Sequence, residues 1–88
     1  MRGMEQLMQW GYRPNLQGSR MLEYAANFAR CQRPDYSLTK HVYPAVGRAY
    51  GCSGAAAEHS MRYAAQQAGD YRTVGEIVAV LREVCSPD

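Results

Sequence analysis

The chain has 88 residues, of which 47% are hydrophobic and 20% charged, and its formal net charge is +2 at pH 7. These values predict one globular domain over residues 1–88 and exclude an intrinsically disordered chain. So mild a positive charge neither requires nor excludes a nucleic-acid partner.

Helical periodicity runs through most of the chain and strand-like alternation is nearly absent, which predicts an all-α fold. Apolar residues at helical spacing over 4–8 predict a short first helix that Gly11 ends. A second helix is predicted over 17–31, with an apolar face broad enough for the centre of the core. Pro34 and Asp35 are expected to end it.

A third helical segment begins near Ser37 and contains Pro44. A proline in the middle of a helix removes a hydrogen bond and costs about 3 kcal/mol. We therefore expect a short helix over 38–43, then a bend, and then a helix that Pro44 opens at its first turn and Gly51 closes.

The next helix is predicted over 54–68, because Ser53 can cap its start and Gly69 can end it. Its periodicity indicates which side chains face the core. The expected inward positions are Ala57, Met61, Ala64, Ala65 and Ala68.

The last helix has the clearest pattern. Thr73 and Glu76 form a capping-box motif at its start, and an amphipathic stripe follows. Residues 86–88 are expected to be a frayed end. The predicted stripe consists of Val74, Ile77, Val78, Leu81 and either Val84 or Cys85.

The three cysteines are Cys31, Cys52 and Cys85, and neither His41 nor His59 lies at zinc-ligand spacing from a cysteine pair. We therefore expect no metal site, no cofactor and reduced thiols. No apolar run approaches the roughly 18 residues of a membrane helix, and no signal peptide is evident. By elimination, we expect a cytoplasmic protein without a membrane partner.

The spacing of Gly47, Gly51 and Ser53 is typical of a helix-turn-helix over about 44–68. A small residue at 47 allows close helix approach, and Gly51 allows the positive φ of a sharp turn. In such a motif the second helix enters the DNA major groove. The same spacing also fits an ordinary helical hairpin, so these residues alone leave both interpretations open.

A resemblance to a known family is carried by residues within 38–68, namely Leu38-Thr39-Lys40, Val42-Tyr43-Pro44, Val46, Arg48, Tyr50, Glu58, Arg62 and Ala64. Through them, residues 38–68 resemble the C-terminal DNA-binding effector domain of the sporulation master response regulator family (stage zero sporulation protein A). The resemblance implies five to six helices, with the helix over about 54–68 in the major groove of double-stranded DNA. Family members bind promoters as tandem dimers, which implies a homodimer on DNA.

The chain departs from the family at two base-reading positions. Two family arginines that read guanine align with Ala56 and His59, whereas Glu58 and Arg62 are retained. Because each arginine–guanine pair supplies about 1–3 kcal/mol of discrimination, the family's target sequence is not expected here. His59 can donate one hydrogen bond, and Ala55 or Ala56 can contact a thymine methyl group.

The connection before the last helix is also short. In the family an extra helix and loop touch RNA polymerase at this place, but here only residues 67–72 bridge the gap. The resemblance therefore does not carry a polymerase contact over to this chain. No receiver domain precedes the motif in the sequence, which leaves an excised domain and a stand-alone homologue as alternatives.

One helical edge, which we name the polar stripe, is expected to face DNA bases. The alternative is a solvated helix face. Lys40, Arg48 and Ser53 are expected to hold phosphates, with ordinary surface charge as the alternative. The polar stripe consists of Ala55, Glu58, His59, Arg62 and Gln66.

The aromatic side chains are expected to have mainly structural roles. Tyr43 and Tyr50 are expected to pack against the core, and Trp10 to cover it as a lid. The remaining tyrosines hint at a partner surface, but half-buried rings with solvated hydroxyls are the simpler interpretation.

The sequence thus predicts a DNA-binding transcriptional regulator. The alternative is a protein–protein interaction module that kept the scaffold without sequence-specific DNA binding. An enzyme is not expected, because Cys52 and His59 are two helical turns apart. Glu58 and His59, as neighbours on a helix, point about 100° apart.

Overall fold

The computed structural model describes residues 2–32 and 36–84. Within these ranges the chain is all-α, as predicted, without a β-strand, and none of its helices is long and apolar enough to cross a membrane. The predicted break at Pro34 and Asp35 and the frayed end at 86–88 lie outside the described residues. The elements are α1 (Gly3–Gln9), α2 (Gln17–Arg30), a π-helical turn (Leu38–Val42), α3 (Tyr43–Tyr50), α4 (Gly54–Gln67) and α5 (Val74–Val84).

Helix α2 is the central element, since α1, α3, α4 and α5 all pack against it. Its sequence places small and apolar side chains on one broad face, which the other helices cover. This arrangement confirms the predicted central role of the second helix. The buried α2 residues are Gly18, Ser19, Met21, Leu22, Ala25, Ala26 and Ala29.

The segment before α3 forms a widened helical turn rather than the predicted bend. The backbone at Val42 stays right-handed helical, with φ −75° and ψ −54°. The N–H groups of Val42 and Tyr43 donate to carbonyls five residues back, at Ser37 and Leu38. In a regular α-helix the Pro44 ring would clash with the carbonyl of residue 40. The π-helical turn makes room for the ring without ending the helix.

Helices α2 and α4 cross at very short distance because Gly18 has no side chain. A Cβ atom at this position would clash with the Ser60 carbonyl oxygen and lie 2.8 Å from the Ala64 Cβ. The backbone of α2 therefore rests directly on α4. This contact fixes which face of α4 is buried.

Helix α5 begins with the predicted capping box. The Thr73 N–H donates to the Glu76 carboxylate at 3.0 Å, and the Glu76 N–H donates to the Thr73 hydroxyl at 3.1 Å. The predicted stripe is buried at 74, 77, 78 and 81, whereas Val84 is 40% exposed and does not belong to it. Cys85, the other option for the end of the stripe, lies outside the described residues.

The inward face of α4 agrees with the predicted list at four of its five positions. Ala57, Met61, Ala64 and Ala65 are buried, whereas Ala68 is only half-buried. Ala68 lies just beyond the last residue of the helix, Gln67, and is its C-cap. The chain turns away there, so this side chain does not reach the fully enclosed part of the core.

We predict that Gly18→Ala lowers the free energy of unfolding by about 2 kcal/mol, because the added methyl group forces two backbones apart. Urea denaturation measures this change. Gly75→Ala is the matched control, since its new Cβ would meet the flexible end of the Leu38 side chain. If the two variants lose the same free energy of unfolding, the close contact between the α2 and α4 backbones does not carry the stability assigned to it.

Candidate nucleic-acid interface

The turn between α3 and α4 is as sharp as predicted. Gly51 has φ 74° and ψ 31°, the left-handed conformation that glycine adopts without strain. The Cys52 N–H donates to the Gly47 carbonyl oxygen at 2.8 Å. A Cβ at Gly47 would lie only 2.5 Å from the Cys52 carbonyl oxygen. Both glycines are therefore required for the chain to reverse closely between the two helices.

Ser53 caps the start of α4, also as predicted. Its hydroxyl oxygen accepts a hydrogen bond from the Ala56 N–H at 3.0 Å. Because that bond uses an oxygen lone pair, the hydroxyl proton can still be donated to another acceptor. The phosphate contact predicted for Ser53 is compatible with its capping role.

Helix α4 has two distinct sides. Its inner side chains lie under α2, and the polar stripe lies on the opposite side. Glu58 is the most enclosed member of the stripe, with 29% of its side chain exposed. The four exposed members are Ala55, His59, Arg62 and Gln66.

Three charged or polar side chains of the stripe contact one another. Arg62 Nη2 lies 3.5 Å from Glu58 Oε1 and 3.4 Å from His59 Nδ1, while 56% of the Arg62 side chain stays exposed. A solvent-facing pair at i, i+4 contributes only about 0.3–0.5 kcal/mol. The guanidinium is thus oriented by weak contacts and remains available to a partner.

Lys40 and Arg48 are exposed on elements next to α4. The start of α4 lies against the start of α3. A Cβ added at Gly54 would be only 3.2 Å from the Tyr43 carbonyl carbon. Within the described ranges, no hydrogen bond or ion pair joins Lys40 or Arg48 to the polar stripe. The structure leaves both cations facing solvent, and their phosphate contacts stay predictions.

Tyr43 and Tyr50 are half-buried and pack against the hydrophobic core, as predicted. Burial, with a smaller contribution from the Glu58 carboxylate, raises the pKa of Tyr43. Burial also raises the pKa of Tyr50, whose ring meets Tyr24 edge-on at a centroid distance of 6.2 Å. Both rings therefore anchor α3 to the core and remain uncharged at neutral pH.

The structure contains a polar cluster that the sequence did not predict, which we name the Asp70 clamp. The Tyr12 hydroxyl donates to Asp70 Oδ2 at 2.7 Å, although the Tyr12 side chain had been expected to be half-buried with a solvated hydroxyl. Arg72 donates to both Asp70 oxygens, at 2.9 and 2.7 Å. The Arg72 guanidinium also stacks 4.3 Å from the centre of the Trp10 ring, the predicted lid.

The Asp70 clamp changes the acidity of its members. Hydrogen bonds from Arg72 lower the pKa of Asp70 to about 2, even though burial acts in the opposite direction. Burial, followed by the bond to Asp70, raises the pKa of Tyr12. Asp70 is therefore ionised and Tyr12 protonated across the physiological range. A single Asp-x-Arg spacing after Gly69 is the only sequence signal for this cluster.

The clamp holds the connection between α4 and α5 beside a cleft of about 400 Å³. Three members of the polar stripe line this cleft: Glu58, Arg62 and Gln66. Tyr71 forms its outer lip and is 100% exposed. The polar stripe therefore continues into a concave surface at the C-terminal end of α4.

Comparison of the chain with family models, curated proteins and solved structures finds no match. The resemblance to the sporulation effector domain thus remains a prediction carried by the quoted residues.

We predict that the Asp70 clamp makes stability depend on acid pH. The folded-state pKa of Asp70, about 2, is below the unfolded value of 3.8. Its stabilisation, about 2 kcal/mol, is therefore complete above pH 4 and disappears as the pH falls toward 2. Urea denaturation at pH 6 and pH 2.5 measures the loss.

Asp70→Asn should remove this part of the pH dependence, because the amide cannot ionise. Glu83→Gln is the control, since that carboxylate is paired with Arg82 at an exposed position. A pH dependence unchanged in Asp70→Asn would show that the clamp does not stabilise the fold.

Proposed function

We propose that this chain is a cytoplasmic, DNA-binding transcriptional regulator whose helix α4 enters the major groove. The observation that carries the proposal is the division of α4. One side is buried under α2 by the Gly18 contact, and the opposite polar stripe is uncovered beside a sharp turn. A recognition helix needs both features, because it must be fixed to the domain and free toward the bases.

The side chains of the stripe suit the edges of base pairs. Ala55 and Ala56 are small, so the start of α4 can approach the groove floor and contact thymine methyl groups. The Arg62 guanidinium can donate to guanine acceptors, and the Glu58 carboxylate can accept from a cytosine amino group. With 14 residues, α4 is about 21 Å long, which is enough to cross the major groove.

Phosphate contacts would come from the flanking elements. Lys40 before α3, Arg48 near the end of α3 and the Ser53 hydroxyl lie on the elements that flank the start of α4. A net charge of +2 makes the general attraction to DNA weak. Affinity would thus depend on these local contacts and, in line with the resemblance, on a second copy bound beside the first.

The second candidate is a protein–protein interaction module on the same scaffold. The fully exposed ring of Tyr71 at the lip of the cleft favours it, because exposed aromatic rings are enriched at protein interfaces. For this function, the small side chains at the start of α4 would allow close approach of a partner helix instead of DNA.

We predict that the protein binds duplex DNA with an affinity that falls steeply as salt rises. The logarithm of the binding constant should fall with the logarithm of the salt concentration, with a slope of about 0.9 per phosphate contacted. Lys40→Ala and Arg48→Ala should each lower this slope by about 0.9, the value of one phosphate contact. Fluorescence anisotropy with labelled duplexes at several salt concentrations measures the slope. Arg13→Ala is the control, because the α1–α2 loop is held by the Asp70 clamp near the other end of α4. Absence of binding at low salt would rule out the DNA-binding proposal.

We also predict that Ala56→Glu weakens DNA binding at least ten-fold without loss of stability. The new carboxylate would lie where Ala56 is proposed to approach the groove floor, and its charge would be repelled by the DNA. It would also complete a capping box with Ser53, which preserves stability. Ala79→Glu, at an exposed position of α5, is the matched control. If both substitutions weaken DNA binding equally, the effect comes from net charge and α4 is not the recognition helix.

A further inference from the structure

The contact between Arg62 and His59 favours one tautomer of the neutral histidine ring. Arg62 Nη2 lies 3.4 Å from His59 Nδ1. An arginine side chain is a donor only and stays protonated in proteins. Nδ1 must therefore offer a lone pair, and in the neutral ring the hydrogen then resides on Nε2.

Among residues 2–32 and 36–84, no protein group accepts a hydrogen bond from that Nε2–H. On the preceding turn, Ala55 and Ala56 carry no polar side-chain atom. Over the described part of the chain, the hydrogen bond to Arg62 is the only one that involves the His59 ring. The ring is exposed, so the donor is presented to whatever α4 meets.

We propose that His59 is a specificity-determining residue whose Nε2–H donates to a purine N7, and that Arg62 positions it by holding this tautomer. The inference rests on the proposed DNA-binding function. Glu58 supports the arrangement because its carboxylate holds the same Arg62 nitrogen from the neighbouring turn, at 3.5 Å. Glu58, Arg62 and His59 together thus orient one hydrogen-bond donor, the Nε2–H of His59.

A single donor gives a particular kind of base preference. In the major groove, guanine presents acceptors at N7 and O6, adenine one at N7 and thymine one at O4, whereas cytosine presents a donor. We assign the Nε2–H of His59 to N7, the acceptor that both purines share, so that either purine serves and cytosine is disfavoured. A bidentate arginine would instead require guanine. The DNA class we infer is a site with one degenerate purine position under the middle of α4.

The test uses 7-deazapurines, which lack only the N7 acceptor. Sites are first selected from a random duplex pool with the wild-type protein, and each purine of a selected site is then replaced singly. We expect one purine at which the substitution weakens binding about five-fold, the net value of one hydrogen bond, and at which this loss depends on His59. A guanine contacted by Arg62 is a separate sensitive position, whose ratio does not depend on His59. The ratio of the two dissociation constants is compared within each variant, so general losses of affinity cancel.

Substitutions distinguish the role of His59 as the donor from the role of Arg62 as the residue that positions it. His59→Ala should bring the ratio at that purine close to one, whereas His59→Gln, whose amide donor lies near the place of Nε2, should retain part of it. Arg62→Ala should reduce the ratio less than His59→Ala does, because the ring loses its orienting contact while the Nε2–H tautomer stays the commoner one. Arg62→Lys should preserve the ratio by keeping a donor toward Nδ1. Gln67→Ala, exposed on α4 outside the polar stripe, should leave it unchanged. Circular dichroism checks that each variant stays helical.

The outcomes distinguish this inference from the proposed function. Salt-dependent binding without an enriched site, or with no purine sensitive to 7-deaza replacement, overturns the role of His59 and leaves DNA binding in place. A ratio that persists in His59→Ala at every sensitive purine also overturns it. Absence of any DNA binding overturns both proposals.

Discussion

The backbone contact between α2 and α4 at Gly18 is the constraint on which the rest of the structure depends. Because no side chain separates the two helices there, the rotation of α4 about its own axis is fixed by the Ser60 carbonyl. That rotation decides which α4 side chains are core and which are surface. The exposure of the polar stripe follows from that rotation, since turning α4 by one residue would move Arg62 by about 100° around the helix axis.

The two ends of α4 are held by different means. The start of α4 is held by the left-handed backbone of Gly51 and by the Ser53 hydroxyl, which caps the helix. At the end, the Asp70 clamp uses two aromatic rings and an ion pair, with the Asp70 carboxylate only 9% exposed. Breaking a pair that is this enclosed leaves an unmatched charge, so the clamp is a more costly contact to lose than the exposed Glu58–Arg62 pair. The clamp secures the short connection to α5.

Local signals made most of the helices predictable from the sequence. The turn and capping signals depend only on neighbours a few residues away, and the structure confirms them at Gly51, at Ser53 and at the Thr73–Glu76 pair. The sequence does not predict the π-helical turn, because a proline within a helical pattern indicates a bend or a new helix start and gives no sign that the preceding turn widens. The Asp70 clamp joins residues 58 positions apart, and nothing in the local pattern indicates such a partner. The candidate site was predictable as a stripe, but the contact that orients His59 depends on side-chain conformations.

The π-helical turn also links two features of the sequence that appear separate. It holds one more residue per turn than an α-helix would, and Pro44 follows it directly. Removing one residue from 38–42 would restore regular α-helical bonding and drive the proline ring into a carbonyl. Replacing the proline alone would leave a widened turn with no ring to accommodate. The extra residue and the proline therefore form an epistatic pair: in related chains they should be gained and lost together, so an alignment gap here would mark the absence of the proline.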